Sequence, residues 1–436
     1  MDYDNQKPFT PIGKTNFRNS NQLFGIKLKD RFNHIYKLGK TGSGKTSLLL
    51  NMAIDDMQKG YGLALIEPHG DACLELLSHV PERRKYDVIY FDATDHTHRI
   101  GFNPLHNVPT EERHLVASEI VLAFKKIWGD SWGPRMEYIL RFCILTLLDY
   151  PHATLLDIQP LLLDQSFRSQ VLHYVKNMAV RQFWYNEFDK YPAALKAESI
   201  MPILNKAGVF QANAVLRDIV GQVGGISIAE VMDSGKILIC NLSKGIIGED
   251  ASQILGSLLT TAIQTAAMRR AAIAEHERKP FMVFIDECHT FITTSFATML
   301  SEIRKFKVGL LLTNQYLGQL PDDVRNSIFG NVGTLISFRV GIEDAKMLAD
   351  EFYPVFTADD CINLPRYAIY LKLLIDGMAS KSFSAETLPL PVGNNCMKDF
   401  IIAHGREQRL IQVSGSEPLP RSKAIPFVDT GFPTLF

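Results

Sequence analysis

An eight-residue run, Gly39-Lys40-Thr41-Gly42-Ser43-Gly44-Lys45-Thr46, constrains the fold of this chain more than any other feature of its sequence. It fills every fixed position of the pattern G-x-x-x-x-G-K-[ST]. A short apolar stretch (34–38) precedes the run, and a helical pattern that Gly60 can end follows it. Glycines allow consecutive backbone N–H groups to point at phosphates, and the following helix adds its positive N-terminal end. The run therefore predicts a nucleoside triphosphate site.

Each residue of this loop has an expected role. The whole run, 39–46, is expected to wrap the phosphates. The Lys45 ammonium would reach the β- and γ-phosphates, and the Thr46 hydroxyl would bind Mg²⁺. The predicted cofactors are therefore ATP and Mg²⁺.

Composition limits where such a protein can work. The 46 basic and 47 acidic side chains nearly cancel, so any contact with nucleic acid has to come from local geometry. The six cysteines are scattered without a C-x-x-C pair, which is typical of buried thiols in a reducing cytoplasm. The N-terminus lacks an apolar signal core, and no apolar stretch approaches the roughly 18–20 residues of a membrane helix. We expect a cytoplasmic protein, held at a membrane only through a partner.

Strand and helix patterns alternate in two separate parts of the chain. Residues 1–22 are predicted to be an N-terminal arm, and 23–150 the first part of an α/β ATPase domain. Short apolar runs at 62–66 and 87–91 are typical of buried parallel strands. Pro134 suits the first turn of a helix that runs to Leu148.

The middle of the chain changes character. Strand patterns vanish over 151–230, where Thr154 with Asp157 can start a helix and aromatic residues recur at helical spacing. Strand patterns resume over 231–390, at 236–240, 281–285, 308–312, 334–338 and 368–371. The predicted fold is therefore an α/β core with a mostly parallel sheet, interrupted by an inserted all-α domain. Residues 391–436 are predicted to form an irregular C-terminal arm.

Two acids end the apolar run 281–285. A carboxylate at the carboxyl end of a parallel strand near the phosphate loop can hold Mg²⁺, which suits Asp286. The acid beside it can deprotonate the attacking water, which suits Glu287. Alone, a strand ending in acids is a weak indication, but together with the phosphate loop it predicts nucleotide hydrolysis.

Amides end the next apolar run along the chain. Asn314 and Gln315 follow the run 308–312, where a side-chain amide can contact the γ-phosphate and respond to its presence. The alternative interpretation is that both side chains only cap the end of the strand.

The ordered set of motifs over 24–390 resembles the HerA/FtsK superfamily of hexameric P-loop motors. Within it, the chain is most similar to the ATPase domain of type IV secretion coupling proteins, the TraG/TraD group that pumps DNA in conjugation. Besides the three motifs, the similarity rests on the runs 67–71, 101–105, 132–137, 330–333, 338–341 and 343–345. The resemblance implies that 23–150 and 231–390 form a RecA-like P-loop core, and the block 151–230 lies where coupling proteins carry an all-α domain.

The resemblance implies roles for particular residues. Lys45 and Thr46 would bind phosphate and Mg²⁺, Asp286 would be the metal-side acid, Glu287 the catalytic base and Gln315 the sensor. In such rings an arginine of the neighbouring subunit completes the site, and Arg304 matches that position. The resemblance also implies a homo-oligomer, a hexamer, that acts on DNA without sequence preference.

Several features stay open on the sequence alone. We expect no membrane helix in this sequence, although coupling proteins usually begin with membrane helices, and Glu67 stands where relatives often have Asp. His69 and Asp71 can lie beside the nucleotide or simply form a capped turn. Arg135, Arg325 and Arg339 are rival arginine candidates or ordinary structural residues.

The sequence therefore predicts an ATP-hydrolysing ring that translocates DNA. Two alternatives remain. One is a secretion or assembly ATPase that moves protein, with a secretion channel as its partner. The other is a nucleotide-gated scaffold subunit that holds a nuclease partner. Stimulation of ATP hydrolysis by DNA would favour DNA translocation over the protein-moving alternative. Activity that depends on a partner, with negligible translocation, would favour the scaffold alternative.

Overall fold

A single large sheet organises the protein. The computed structural model describes residues 8–16 and 20–415. In chain order its strands are β1 (Thr10–Thr15), β2 (Leu23–Ile26), β3 (Ile35–Leu38), β4 (Gly62–Glu67), β5 (Val88–Asp92), β6 (Ile237–Asn241), β7 (Phe281–Ile285), β8 (Val308–Asn314), β9 (Thr334–Ser337), β10 (Ala368–Lys372), β11 (Leu374–Ile375), β12 (Met378–Ala379) and β13 (Phe383–Thr387). β11 and β12 form a separate hairpin.

Helices cover both faces of the sheet. In chain order they are α1 (Leu28–Arg31), α2 (Lys45–Lys59), α3 (Asp71–Leu77), α4 (Arg113–Ile127), α5 (Pro134–Asp149), α6 (Ile158–Leu163), α7 (Gln165–Leu172), α8 (Met178–Gln182), α9 (Ala193–Ala212), α10 (Ala214–Val220), α11 (Ile228–Ser234), α12 (Lys244–Ile247), α13 (Glu249–Arg269), α14 (Thr294–Ile303), α15 (Asp322–Asn331), α16 (Ile342–Phe352), α17 (Ala358–Ile362) and α18 (Asn395–Gly415). Among the described residues, none of these helices is long and apolar enough to cross a membrane.

The strand order decides where a site can form. It is β2-β1-β13-β10-β9-β3-β8-β7-β4-β6-β5, with β9 through β5 all parallel and the β2 end antiparallel. β3 and β7 therefore lie on either side of β8. Because the carboxyl ends of parallel strands meet at one edge, the phosphate loop after β3 and the acids after β7 face the same crevice.

Alternation along the strands divides the core into two layers. On β3, Tyr36 and Leu38 point to the face covered by α4, α5, α9 and α13. Ile35 points to the opposite face, which α2, α3 and α18 cover. The parallel strands are buried on both faces, which explains why they form continuous apolar runs in the sequence. All eight strands predicted from those runs are present, and their ends agree within two residues.

The residues between β5 and β6 form a helical layer. The segment 151–230 holds α6 to α10 and the start of α11, and α4 and α5 precede it. Thr154 and Asp157 do start a helical turn through a capping box. The predicted boundary at residue 151 falls inside this layer, because α5 packs against α4 on one side and against α6 and α9 on the other. The helices on both sides of residue 151 share one core with the sheet.

The predicted N-terminal arm is wrong for the residues that form β1. β1 pairs with β13 and β2, and Ile12 is buried against the α2 face. The sequence did not reveal this strand because its pairing partner, β13, lies about 370 residues later in the chain. Residues 1–7 and 17–19 of that arm lie outside the described residues.

The predicted C-terminal arm is wrong for α18. Asn394 caps this helix by accepting the Cys396 N–H at 3.1 Å, and Met397 and Ile401, four residues apart, are buried against the sheet face that α3 covers. The prolines and glycine at 389–393 suggested irregular structure, but they only precede the helix. Residues 416–436 lie outside the described residues.

Candidate active site

The phosphate loop has the backbone that its glycines require. Gly42 and Gly44 have φ angles of 75° and 115°, values that residues other than glycine rarely adopt. A Cβ atom on Gly44 would also lie 2.6 Å from a ring carbon of Tyr367. The loop therefore turns tightly between β3 and α2, and this turn points backbone N–H groups inward.

Neighbouring segments fix the loop from outside. The Lys40 N–H donates to the carbonyl oxygen of Arg339 at 2.8 Å, and the Tyr367 N–H donates to that of Ser43 at 2.8 Å. The Ser43 hydroxyl donates to the carbonyl oxygen of Lys40 at 2.7 Å. Two neighbouring segments and one internal hydrogen bond therefore hold the loop in shape, so the cradle is built by the fold.

Lys45 and Thr46 lie at the first turn of α2. The Lys45 ammonium donates to the carbonyl oxygens of Gly39 and, at 3.0 Å, Lys40, so it lies within the loop. Burial lowers the pKa of Lys45, while the carboxylate of Asp286 opposes this shift. Thr46 is exposed beside it, at the positive end of the helix.

Lys37 is a functional candidate that the sequence patterns did not indicate. It is fully buried in β3, beneath the phosphate loop, and its ammonium donates to the carbonyl oxygen of Lys45 at 2.6 Å. Burial lowers the pKa of Lys37 to about 7, and the charge of Asp286 opposes the shift. A lysine inside an otherwise apolar strand run was visible in the sequence, but its contact with α2 was not.

The two acids after β7 lie at the same edge of the sheet. Asp286 is 8% exposed and Glu287 is 6% exposed. Burial raises the pKa of Asp286, and the charge of Lys37 is the main opposing effect. Glu287 has a φ of 47°, which is unusual for glutamate and is the kind of backbone strain that clusters at active sites.

Gln315 contacts the predicted base. Its Nε2 donates to Oε1 of Glu287 at 2.8 Å, and His289 Nδ1 lies 3.5 Å from Oε2 of the same carboxylate. The structure thus brings together two residues whose strands, β7 and β8, are neighbours in the sheet. The hydrogen bond from Gln315 therefore orients the carboxylate.

Asn314 has a different position. Its Oδ1 accepts the Cys288 thiol at 2.7 Å and the Tyr36 hydroxyl at 3.3 Å. Its Nδ2 lies 3.1 Å from Nδ1 of His289, whose pKa is lowered to about 4, mainly by burial and then by the charge of Lys126. The Asn314 side chain therefore binds buried groups of the protein itself, and Gln315 is the amide that contacts Glu287.

Glu67 caps a turn at the end of β4. Its carboxylate accepts the N–H of His69 at 2.8 Å and that of Gly70. Burial raises the pKa of Glu67 to about 7, against the effect of these hydrogen bonds. His69 and Asp71 are exposed on the two sides of the turn. The geometry matches the capped-turn interpretation of this motif.

Arg304 lies at the opposite edge of the sheet from its own phosphate loop. It directly precedes β8, at the amino end of the parallel strands, and is exposed. Buried Arg270 donates to the carbonyl oxygen of Phe306 at 3.2 Å, and Arg278 donates to that of Lys305 at 2.8 Å. Arg304 therefore projects from an anchored turn, on the side of the sheet from which it cannot reach the phosphate loop of its own chain.

The other arginine candidates have distinct surroundings. Arg325 pairs with Asp322 at 2.9 Å within α15. Arg339 is exposed, and its carbonyl oxygen holds the phosphate loop of the same chain. Arg135 is exposed in the first turn of α5.

The available donors suit the nucleotide and metal that the motifs imply. Gly42 and Gly44 have positive φ angles, which lets backbone N–H groups of the loop point at phosphates. The Thr46 hydroxyl and the Asp286 carboxylate are hard oxygen ligands of the type that Mg²⁺ prefers. The set therefore fits a magnesium–nucleotide complex.

Comparison with solved structures decides the fold. The bacterial conjugative coupling protein TrwBdeltaN70 superposes with a TM-score of 0.63 at 14% identity, covering 88% of this chain and 90% of TrwB. TrwB in complex with the ATP analogue ADPNP gives 0.62 at 13% identity, over 88% and 90% of the two chains. VirB4 of Thermoanaerobacter pseudethanolicus gives 0.59 at 14% identity, over 89% and 98%.

The chain has the fold of TrwB and VirB4. This confirms, at the level of the fold, the resemblance to type IV secretion ATPases that the sequence predicted. No protein-family model matches the sequence, and no curated protein matches it. The individual roles of Lys45, Thr46, Asp286, Glu287, Gln315 and Arg304 remain predictions that the geometry supports.

Proposed function

We propose that this protein is an ATP-hydrolysing ring motor that translocates DNA. The observation that carries the proposal is the meeting of the phosphate loop, the acid pair and Gln315 at one edge of the sheet. A phosphate cradle alone binds nucleotide, whereas a buried carboxylate beside it can also take a proton from water.

The proposed reaction is in-line attack of water on the γ-phosphate of ATP. The backbone N–H groups of 39–45 and the Lys45 ammonium would hold the phosphates, and the Thr46 hydroxyl and Asp286 would hold Mg²⁺. Bound Mg²⁺ supplies neutralisation of the charge that develops on the phosphate oxygens. Glu287 accepts the proton of the attacking water, and Gln315 orients that carboxylate and responds to the γ-phosphate.

The position of Arg304 supports a shared site. Because it lies at the sheet edge opposite its own phosphate loop, it can complete only the site of another subunit. Head-to-tail contacts that repeat by rotation close into rings. We therefore propose a homo-oligomer, a hexamer as in the HerA/FtsK motors that the sequence resembles, with Arg304 acting in the neighbouring site.

DNA is the proposed cargo because the fold matches a conjugative coupling protein over most of both chains. The near-zero net charge means that DNA contacts would come from surfaces brought together on assembly. We place the protein in the cytoplasm, where a secretion channel or a nuclease could be its partner.

The comparable likeness to VirB4 favours a second candidate, a secretion ATPase that moves protein. The test is the rate of ATP hydrolysis by the purified protein with single-stranded DNA, with double-stranded DNA and without DNA. DNA should raise the rate of the parent protein, and the Lys45→Ala variant should stay inactive throughout. A rate that no form of DNA changes would favour the protein-moving candidate.

A further inference from the structure

The loop that carries the proposed base is held by a lysine from the helical layer. The β7–α14 loop, residues 286–293, leaves the sheet at Asp286 and enters α14 at Thr294. Lys126, next to last in α4, donates from Nζ to the carbonyl oxygens of His289, at 2.8 Å, and Ile292. A single side chain therefore bridges two backbone acceptors of this loop.

Two further contacts hold the same loop to the helical face. The Thr260 hydroxyl on α13 shares its proton between the carbonyl oxygen of Ser257, at 3.0 Å on its own helix, and that of Phe291, at 3.2 Å in the loop. The Ser295 hydroxyl, just after the loop, donates to the carboxylate of Glu119 on α4 at 2.8 and 3.0 Å. The loop and the start of α14 are thus hydrogen-bonded to α13 and to α4, respectively.

The held loop contains the strained residue. Glu287 has a left-handed backbone, which costs of the order of 1–3 kcal/mol and persists only where the surroundings determine it. Three N–H bonds close the loop behind it, from Thr290 to the Glu287 carbonyl oxygen and from Phe291 and Ile292 to that of Cys288. Movement of this turn would shift the Glu287 carboxylate from Gln315.

We propose that Lys126 is a positioning residue for the reaction: by holding the carbonyl oxygens of His289 and Ile292, it keeps Glu287 in the conformation that aims its carboxylate at the attacking water. The catalytic part rests on the proposed function, whereas the holding of the loop does not. Burial lowers the pKa of Lys126 to about 7, and a neutral amine still has two N–H groups for the two acceptors. The contact therefore survives loss of the charge.

The adjacent lysine provides a matched control. Lys125 lies on the same helix, but it is exposed and pairs with Glu137 at 3.3 Å on the surface. Lys126→Met removes the donors at nearly constant length, and Lys125→Met makes the same chemical change outside the loop. Lys126→Arg keeps donors for both carbonyl oxygens. Lys126→Gln is a milder change than Lys126→Met, because the glutamine side chain is still polar.

Two measurements test the proposal. The first is hydrogen exchange of the amides of Thr290, Phe291 and Ile292 without nucleotide, which should quicken in Lys126→Met and not in Lys125→Met. The second is steady-state ATP hydrolysis together with the Kd for ATP. Lys126→Met should lose about 10- to 100-fold in kcat, the scale of a misplaced catalytic group, with the Kd for ATP unchanged. Lys126→Arg should recover most of the rate.

The outcomes separate the two claims. If the parent hydrolyses ATP and Lys126→Met matches it in rate and exchange, the positioning role is wrong and the proposed function stands. If the parent does not hydrolyse ATP, the proposed function fails, and exchange alone decides whether Lys126 holds the loop. If Lys126→Met does not fold, Lys126→Gln replaces it: faster exchange and lower kcat support the proposal, and parental values overturn it.

Discussion

Gln315 Nε2 donates a hydrogen bond of 2.8 Å to the Glu287 carboxylate, so the predicted sensor and the predicted base are in direct contact. The two residues follow neighbouring parallel strands, β7 and β8, and meet beside the phosphate loop. A residue that responds to the γ-phosphate can therefore alter the orientation and basicity of the group that activates water.

This contact predicts that two substitutions of Gln315 change the pH dependence of ATP hydrolysis differently. Gln315→Glu places a second carboxylate against Glu287, and two like charges in contact raise the pKa at which the pair loses its last proton. The rate of ATP hydrolysis near pH 7 should fall and recover toward alkaline pH. Gln315→Ala should lower kcat at every pH, because it only removes the donor. Exposed Gln58→Ala is the control. A Gln315→Glu profile that overlays the parent profile would rule out the contact.

Some parts of this arrangement could be predicted from sequence and others could not. The strands and the phosphate loop were predictable because buried parallel strands are continuous apolar runs and the loop requires glycine at fixed places. Asp286 and Glu287 were predictable for the same reason, since they directly follow such a run.

The missed features depend on contacts between distant segments. β1 is a short, partly polar strand whose partner, β13, lies near the other end of the chain. α18 has helical spacing of Met397 and Ile401, but the nearby prolines outweighed it. The roles of Lys37 and Lys126 follow from backbone acceptors on other elements, one for Lys37 and two for Lys126, which no local pattern records.

Buried His34 predicts a loss of stability in acid. Its Nδ1 accepts the Leu310 N–H at 3.2 Å, its Nε2 lies 2.7 Å from the Leu300 carbonyl oxygen, and burial lowers its pKa to about 4. Between the unfolded pKa of about 6.5 and pH 4, the unfolded chain binds more protons, so stability falls as pH falls. The loss amounts to about 3 kcal/mol at 1.36 kcal/mol per pKa unit.

The check is the free energy of unfolding of the parent and of His34→Asn between pH 7 and pH 4. Asparagine is chosen because His34 has a φ of 63°, which asparagine tolerates. The variant should be less stable at pH 7 and lose less stability in acid. Equal pH slopes for the two proteins would show that His34 does not titrate in this way.

Arg304 is predicted to act in the neighbouring subunit's site. Arg304→Ala should leave ATP binding intact and lower turnover about 10³- to 10⁵-fold, the scale of an arginine finger, whereas a surface ion pair contributes at most about 1 kcal/mol to stability. The nearby acid Glu302 already pairs with Lys305 at 3.2 Å. Exposed Lys305→Ala is the matched control and should remain active.

Mixing decides whether the arginine acts in trans. Co-assembled Arg304→Ala and Lys45→Ala subunits should regain activity, because some interfaces then join an intact phosphate loop to an intact arginine. If the mixture stays inactive although mixed rings form, the assignment fails, and Arg339 and Arg325 become the next candidates.

DNA binding should depend on assembly and on salt. Because basic and acidic side chains nearly cancel, affinity should be modest for the monomer and rise in the ring. Phosphate contacts release counterions, so the logarithm of the binding constant should fall linearly with the logarithm of salt concentration. Fluorescence anisotropy with unrelated DNA sequences measures both effects. A strong preference for one sequence, or affinity insensitive to salt, would contradict binding through phosphates.

The most direct test of the account is phosphate release by the parent protein and by Glu287→Gln at saturating ATP and Mg²⁺, with bound ATP measured in parallel. Glutamine can keep a hydrogen bond to Gln315 but cannot accept the proton of water. The account predicts that Glu287→Gln retains ATP while hydrolysis falls about 10²- to 10⁴-fold, the usual cost of losing a general base. A variant that binds ATP and hydrolyses it at the parent rate would show that Glu287 is not the base.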